Sequence, residues 1–563
     1  MRYAVGLAAI LTQACGRAPA DLVLRDGAVY TMDTANPRAQ SVAVTAGRIV
    51  YVGDDSGVTR WIGPRTTVVQ LQGRMVLPGF QDSHVHPVTG GMELADCDLN
   101  PARSRAEAIA IVRDCATRSR EAPWVRGGGF GLPLFPNGNP SRHLLDSLVP
   151  DRPAYLTSAD GHSAWVNSRA LEVAGITKDT PDPPNGRIER DRKTGEPSGT
   201  LRESAQRLVA DHLPPRTDAE YQDGLRRALA MAARFGITTL HEASASESIL
   251  RAYAAAEQGG WLTARVVVSQ SVDPDSGAAQ VTRLAERRAR YGGRLVRANA
   301  AKIFLDGVIE GQTAALLEPY VDRPGYRGEL NVQPDQMARL VDALDSAGFK
   351  VHVHAIGDRA IRVALDAFEA LPPGRRTSGP RHILAHIQLF NPADIPRFAR
   401  LGVVASFQML WAYEDDYMRD LTEPRLGPAR SRWLYPIASM AATGAIVAGG
   451  SDWSVSSMNP LEAIETAVTH RAPGSAAGPA WNPDERIDLA VALRAYTLGG
   501  AYASDSERDT GSLTVGKLAD LVVLERDLFD VPPNEIGKTR VLLTLLEGRP
   551  VFRDSSLVFR SGQ

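Results

Sequence analysis

The chain has 563 residues, 23% charged and 44% hydrophobic, and its 63 basic and 65 acidic residues leave a net charge of −2. That composition buries a sizeable core and is not that of a disordered chain, and its near-neutral balance offers no single-sign field for nucleic acid or an anionic membrane. Three cysteines exclude a disulfide scaffold and a cysteine-only metal site, while the length suits two to four units of ~100–200 residues or one large barrel with attachments.

The first 20 residues hold Arg2, an apolar run from Ala4 to Leu11, and small residues ending in Gln13-Ala14-Cys15-Gly16. The run is far short of the ~20 residues that span a bilayer and has the outline of a short secretory signal. It resembles a bacterial lipoprotein signal, in which the Cys after the cleavage site is acylated, although Thr12 stands where that pattern has Leu. The expectation is export, to the periplasm or to a membrane through a lipid on Cys15, with a cytoplasmic chain as the alternative. Cys97 and Cys115 are then left as a candidate disulfide pair.

Residues 21–76 read as short strands, with a turn at Asp26-Gly27, and residues 500–563 repeat the style in Leu518–Leu524, Val541–Leu545 and Arg549–Phe552. Neither end alone has enough strands to bury a face, so the two predict one small β-sandwich built from both termini. Its exposed strands suit a homodimer. Between 77 and 499, apolar strand-like runs alternate with helical stretches. The candidate strands are Val76–Gln81, Thr238–His241, Arg265–Ser269, Ala300–Leu305, Lys350–His354, His382–His386, Val403–Phe407 and Ala445–Gly449. Eight strands with one long insertion predict an α/β fold, a (β/α)8 TIM barrel whose insertion, about 95–225, forms a cap. A ninth strand-like run, Ala154–Thr157, lies inside the insertion, whose proline clusters favour irregular segments over a second barrel layer.

In such barrels chemistry sits at the C-terminal ends of the strands. Those ends carry His84 and His86, His241-Glu242, Lys302, His352 and His354, His386 and Asp452, and five of the 11 histidines fall at the first, fifth and sixth strands. On an extended segment His84 and His86 point to one face, because side chains alternate with period two. Imidazoles suit Zn²⁺, and an oxygen donor such as Asp452 completes a site with a position left for water. In Lys350-Val351-His352-Val353-His354, His354 ends the strand and is the preferred ligand, while His352 suits a supporting place behind it.

Leu77-Pro78-Gly79-Phe80-Gln81-Asp82-Ser83-His84-Val85-His86 resembles the first-strand signature of the amidohydrolase superfamily. His354–Ala360, His386-Ile387-Gln388, Ala405–Gln408, Gly450-Ser451-Asp452-Trp453 and Gly511–Asp520 narrow the likeness to the YtcJ-like branch, the amidohydrolase 3 family, which includes N-substituted formamide deformylase. The resemblance spans about Asp21 to Phe552 and implies a metal-bearing barrel beside a sandwich made from both termini. It implies that His84 and His86 hold a first metal with Asp452, that His354 and His386 hold a second, and that Lys302, carboxylated by CO2, bridges them. Without the bridge, Lys302 pairs with Asp306 or Glu310 beside a single ion.

The expected reaction is hydrolysis of a non-peptide C–N bond, amide or formamide-like, in a small molecule. A Zn²⁺-bound water, with its pKa near about 7, attacks the carbonyl, and Asp452 takes the proton and passes it to the leaving amine. His162 and Arg202 in the insertion and Trp453 beside Asp452 are candidate substrate contacts. Two alternatives stand beside this: hydrolysis of an ester, lactone or peptide-like carboxamide on the same metals, and an exported metal- or solute-binding lipoprotein without catalysis.

Overall fold

A computed structural model of the chain describes residues 18–561, apart from the side chains of residues 376–378. The expected signal segment and Cys15 lie outside the described residues. Eight parallel strands form the centre: β1 (Phe80–Val85), β2 (Ile237–Ala245), β3 (Arg265–Ser271), β4 (Val296–Phe304), β5 (Lys350–Ala355), β6 (Ile383–His386), β7 (Val404–Phe407) and β8 (Val447–Gly449). Each pairs with its neighbour in chain order. Amphipathic helices cover the outside. In Pro334–Ser346 the buried residues Met337, Leu340, Val341 and Leu344 recur at helical spacing and face the strands.

The seam between β8 and β1 is closed by individual hydrogen bonds. Ser83 Oγ donates to the Gly449 carbonyl at 2.9 Å, and Ser451 donates to the Asp82 carboxylate through its N–H at 3.0 Å and its hydroxyl at 2.5 Å. The Asp452 N–H donates to the His84 carbonyl at 2.7 Å. These bonds complete the barrel and set the end of its last strand against the end of its first.

Two further sheets draw strands from both ends of the chain. One has five strands, in the order Phe559–Ser561, Thr67–Gln70, Leu22–Arg25, Ser41–Thr45 and Arg48–Gly53. The other has six, running Arg549–Arg553, Val541–Leu546, Leu521–Leu524, Met75–Pro78, Ala28–Tyr30 and Arg38–Ala39. Alternate residues such as Leu22, Leu24, Val42, Val44, Leu521 and Leu543 share one core between them. Arg265 at the start of β3 ties this unit to the barrel, reaching Asp520 and Glu547 at 2.8 Å each.

Two expectations need correction. The run Val76–Gln81 is not one strand: it divides at Gly79 into Met75–Pro78, in the six-stranded sheet, and β1. The division falls at a close approach, where a Cβ on Gly79 would lie 2.4 Å from the Thr238 side chain. The insertion, expected to be irregular around the one strand-like run Ala154–Thr157, carries an ordered six-stranded sheet of Cys97–Asp98, Val125–Phe130, Ala154–Ser158, Ser163–Val166, Pro197–Glu203 and Gly186–Arg190. Its residues alternate between two apolar layers, Leu156 and Trp165 on one side and Tyr155 and Val166 on the other. Cys97 and Cys115 are paired as a disulfide at its edge.

Candidate metal centre

The seam bonds place the donors. With Asp452 N–H fixed to the carbonyl of His84, the Asp452 carboxylate swings over the mouth of the barrel, on a backbone turned to a left-handed φ of 51°. Its Oδ1 comes to rest 3.3 Å from His84 Nε2 and 3.2 Å from His86 Nε2. His386, at the end of β6, also sits at a left-handed φ of 72°, and its Nδ1 lies 3.8 Å from Asp452 Oδ2. Non-glycine residues adopt such angles only where surrounding structure holds them, and such positions gather at functional sites. His84, His386 and Asp452 are all buried, each with one donor atom within 4.8 Å of the others. His386 stacks on Trp411, with ring centres 5.8 Å apart and planes within 7°.

His354 joins from β5, its ring centre 4.5 Å from that of His386, but its Nε2 faces the Gly307 carbonyl at 3.1 Å. Lys302, on β4, is fully buried, with Nζ 3.3 Å from His84 Nε2. It pairs with neither Asp306 nor Glu310. Asp306 instead accepts backbone N–H groups from Ala315, Ile356 and Gly357 at 2.9–3.0 Å, and Glu310 is bonded to Gln388 and Thr422. Burial lowers Lys302 to about 7, against the opposing pull of Asp452 and Glu242.

Supporting groups fix the rings. Glu242 Oε1 lies 3.6 Å from His86 Nδ1 and its other oxygen accepts from Tyr253 at 3.0 Å, a carboxylate placed behind a histidine. Burial works against a charged His86, yet Asp452 and Glu242 together overcome it and raise the ring to about 9. Burial, helped by the neighbouring cations, drives His84, His354 and His386 well below the usual histidine range, so these imidazoles are neutral and keep a lone pair. His352 stands behind His84, its Nε2 2.9 Å from His84 Nδ1.

The insertion sheet delivers His162, whose Nδ1 is 2.8 Å from Glu203 Oε2 and whose ring centre is 5.2 Å from that of His354. Glu203 also accepts from Thr313 at 2.6 Å. Against the penalty of burial, Glu203 raises His162 to about 9. Arg202, expected at the substrate, is a correction. It is 3% exposed and spends its guanidinium on Ser163 Oγ at 2.6 Å, the Gly138 carbonyl at 2.9 Å, Asn139 Oδ1 at 2.8 Å and Glu189 at 3.3 Å, stapling the insertion together. Trp453, 7% exposed, lays its ring on Gly90, and its carbonyl accepts the His86 N–H at 2.9 Å, so it braces His86 from behind.

Sequence reading missed the partner of His162, because Glu203 lies 41 residues away and only the pairing of their strands brings the two together. It also missed Gln408 at the end of β7, buried with both amide atoms unpartnered. Its place beyond a predicted strand end was the one available signal.

The donors fit a divalent cation. Asp452 Oδ1 and His386 Nδ1 are buried without a hydrogen bond, although the carboxylate oxygen is crowded by two imidazole nitrogens. Ligand atoms about 2.0–2.2 Å from one tetrahedral ion stand roughly 3.3 Å apart. Asp452 Oδ1 has that spacing to His84 and His86, while His386 Nδ1 is 3.8 Å from Oδ2 and His86 lies outside the group of three donors within 4.8 Å of one another. The N₃O donor set suits zinc-class ions.

Comparison with known proteins agrees. The amidohydrolase family model matches residues 67–552. Putative amidohydrolase YtcJ of Bacillus subtilis is 31% identical, over 94% of this chain and 99% of its own length. N-substituted formamide deformylase of Arthrobacter pascens is 29% identical, over 94% of this chain and 97% of its own. A solved structure described as an uncharacterized metal-dependent hydrolase from Pyrococcus horikoshii superposes with a TM-score of 0.72 at 25% identity, covering 91% of this chain and 99% of that one. A match that runs through every barrel strand and into both flanking sheets is more than a shared motif, and the chain belongs to the amidohydrolase family.

Proposed function

We propose that this amidohydrolase cleaves a non-peptide C–N bond, in an amide of the formamide class, on a divalent cation held by His84, His86, His386 and Asp452. The observation that carries the reading is the convergence of three buried donors, His84, His386 and Asp452, within 4.8 Å of one another, with His386 Nδ1 left without a hydrogen bond and Asp452 Oδ1 3.3 Å from the neutral His84 ring. A zinc-class ion supplies Lewis acidity and lowers the pKa of water to about 7. Asp452 accepts the proton of the attacking water and returns it to the departing nitrogen. Burial opposes its charge, but the raised His86 beside it holds its carboxyl below the usual range, so it is ionised and ready to accept. His162, with Nδ1 committed to Glu203, directs Nε2 towards the substrate carbonyl oxygen. As the water oxygen bonds to carbon, the C–N bond breaks and the nitrogen leaves protonated, as an amine.

Lys302 fits the two-metal form of the site. A buried amine lowered to about 7 is partly neutral at neutral pH, the form that adds CO2, and Lys302 and His354 both lie against the Phe304 ring, 4.8 and 5.5 Å from its centre. The formamide class is favoured by the deformylase relative, which shares nearly its whole length with this chain. Export is favoured by the Cys97–Cys115 pairing, since disulfides persist in oxidising compartments.

The test is amine release from N-substituted formamides, measured beside esters and lactones, with metal counted per chain before and after chelator stripping. Amine release that disappears on stripping and returns with Zn²⁺ is expected. Faster turnover of esters or lactones would move the substrate class. A metal-loaded chain that hydrolyses no carbonyl compound would leave a binding protein and overturn the reading.

A further inference from the structure

A line of hydrogen bonds runs from His84 into the barrel interior, away from the cation site. His84 Nδ1 lies 2.9 Å from His352 Nε2, His352 Nδ1 lies 2.9 Å from Ser269 Oγ, and Ser269 Oγ lies 2.9 Å from His241 Nε2. The four side chains come from β1, β5, β3 and β2, and each is 0% exposed. The line stops at His241, whose Nδ1 has no hydrogen-bond partner.

Each of these contacts needs one donor and one acceptor. Three neutral rings and one hydroxyl carry four protons; three occupy the contacts, and the fourth sits at one end of the line or, where Ser269 accepts from both rings, on its hydroxyl. Where Ser269 accepts from both rings, His84 donates through Nδ1 and keeps its Nε2 lone pair; the two remaining arrangements are ordered end to end. In one, every donor points away from the mouth: His84 Nδ1–H to His352, His352 Nδ1–H to Ser269, Ser269 Oγ–H to His241, and the spare proton rests on His241 Nδ1. His84 Nε2 then carries a lone pair. In the other, every bond is reversed, and a proton on His84 Nε2 faces the place a cation would take.

We propose that Ser269 and His241 are positioning residues of the metal site, which act through His352 to hold His84 in the tautomer whose Nε2 lone pair faces the ion. The inference rests on the reading of His84 as a cation ligand. Serine suits the middle of the line because its hydroxyl accepts from one ring while it donates to the next. Alanine there would free His352 to carry its proton on Nε2 and present it to His84, which forces the His84 proton to the ligand side.

The experiment measures Co²⁺ affinity of the chelator-stripped full-length chain by competition with a chromogenic chelator, with thermal melting of each stripped variant alongside. Ser269→Ala is expected to bind Co²⁺ roughly 10–100-fold more weakly, the range typical when a group behind a ligand is lost. Ser269→Thr, which keeps the hydroxyl, is expected to restore the affinity. His241→Phe removes the last acceptor and is expected to weaken binding in the same direction; it carries the test if Ser269→Ala does not fold. Folded Ser269→Ala or His241→Phe with the parent's affinity would overturn the proposal, as would weakening that Ser269→Thr does not repair. His84→Ala separates the two levels: if it alone loses the ion, the proposal fails and the metal site stands, whereas unchanged affinity in His84→Ala would sink the metal reading itself.

Discussion

Asp452 serves two ends at once: its backbone N–H closes the barrel on His84, and its carboxylate leans over the donors that this closure brings near. A substitution that keeps its shape and removes its charge isolates the second task. Asp452→Asn leaves the seam bond intact, so the fold is expected to persist while bound metal falls and hydrolysis drops by roughly 10²–10⁴-fold, the share a positioned proton acceptor contributes. Metal counted per chain beside amine release checks this, and an Asp452→Asn variant that keeps its metal and its full rate would remove Asp452 from the mechanism. Arg202 makes the contrasting case. Its partners are two backbone or amide oxygens, a serine and Glu189, all within the insertion. Arg202→Met takes the donor from the Gly138 carbonyl, Asn139 and Ser163, while Glu189 keeps Arg187, and a loss of about 1–3 kcal/mol in denaturant stability is expected with KM unchanged in the folded protein. A raised KM at parental stability would return Arg202 to the substrate.

The helix Pro87–Glu93 begins where His86 ends, and His86 caps it, with the Gly90 N–H donating to its carbonyl at 2.9 Å. That helix lies so close to the helix Asp218–Arg234 that a Cβ on Gly91 would stand 1.9 Å from the Gly224 carbonyl. Gly91→Ala must push the two helices apart. A destabilisation of about 1–3 kcal/mol is expected, together with weaker metal binding, because the displaced helix carries His86 with it. Thermal melting with a Co²⁺ titration of the folded variant checks both, and full affinity in a destabilised Gly91→Ala chain would show that His86 is held independently of its helix. The same closeness explains what sequence could and could not reveal. The barrel strands stand out as apolar runs between helical stretches, and the histidines at their ends stand out with them. Of the insertion sheet only Ala154–Thr157 stands out, because its neighbour Val125–Phe130 reads Val-Arg-Gly-Gly-Gly-Phe. Those glycines are there for contact: a Cβ on Gly127 would lie 2.2 Å from the Cys97 carbonyl, and one on Gly128 2.2 Å from Thr157 Oγ1. Packing in three dimensions overrides strand propensity at that place, and with the rest of the sheet hidden, the pairing of His162 and Glu203 was hidden too.

Across the whole molecule, imidazoles are buried more often as neutral rings than as cations, and this sets how the fold responds to acid. His84, His241, His352, His354 and His386 are all driven well below the usual range by burial, and burial lowers His470, bonded to the Trp481 carbonyl, to about 4. His86 and His162 run the other way, raised to about 9, so their contribution is complete below the unfolded value and is lost only as pH rises through about 9. For a lowered ring the sign reverses. Between the unfolded pKa of about 6.5 and the folded one, the unfolded chain binds the proton and the native chain does not, so stability falls as pH falls. His470 offers a test clear of the metal, since its partner is Trp481 and not a donor of the site. Its share is on the order of 3 kcal/mol between pH 7 and pH 4. In His470→Gln that titration is gone. Urea midpoints measured from pH 7.5 to pH 4 are therefore expected to fall less steeply for the variant than for the parent, the two curves drawing together as acid is added. Parallel curves would mean that His470 takes up its proton in the native state as readily as in the unfolded one, and that the acid response lies with the histidines of the barrel mouth.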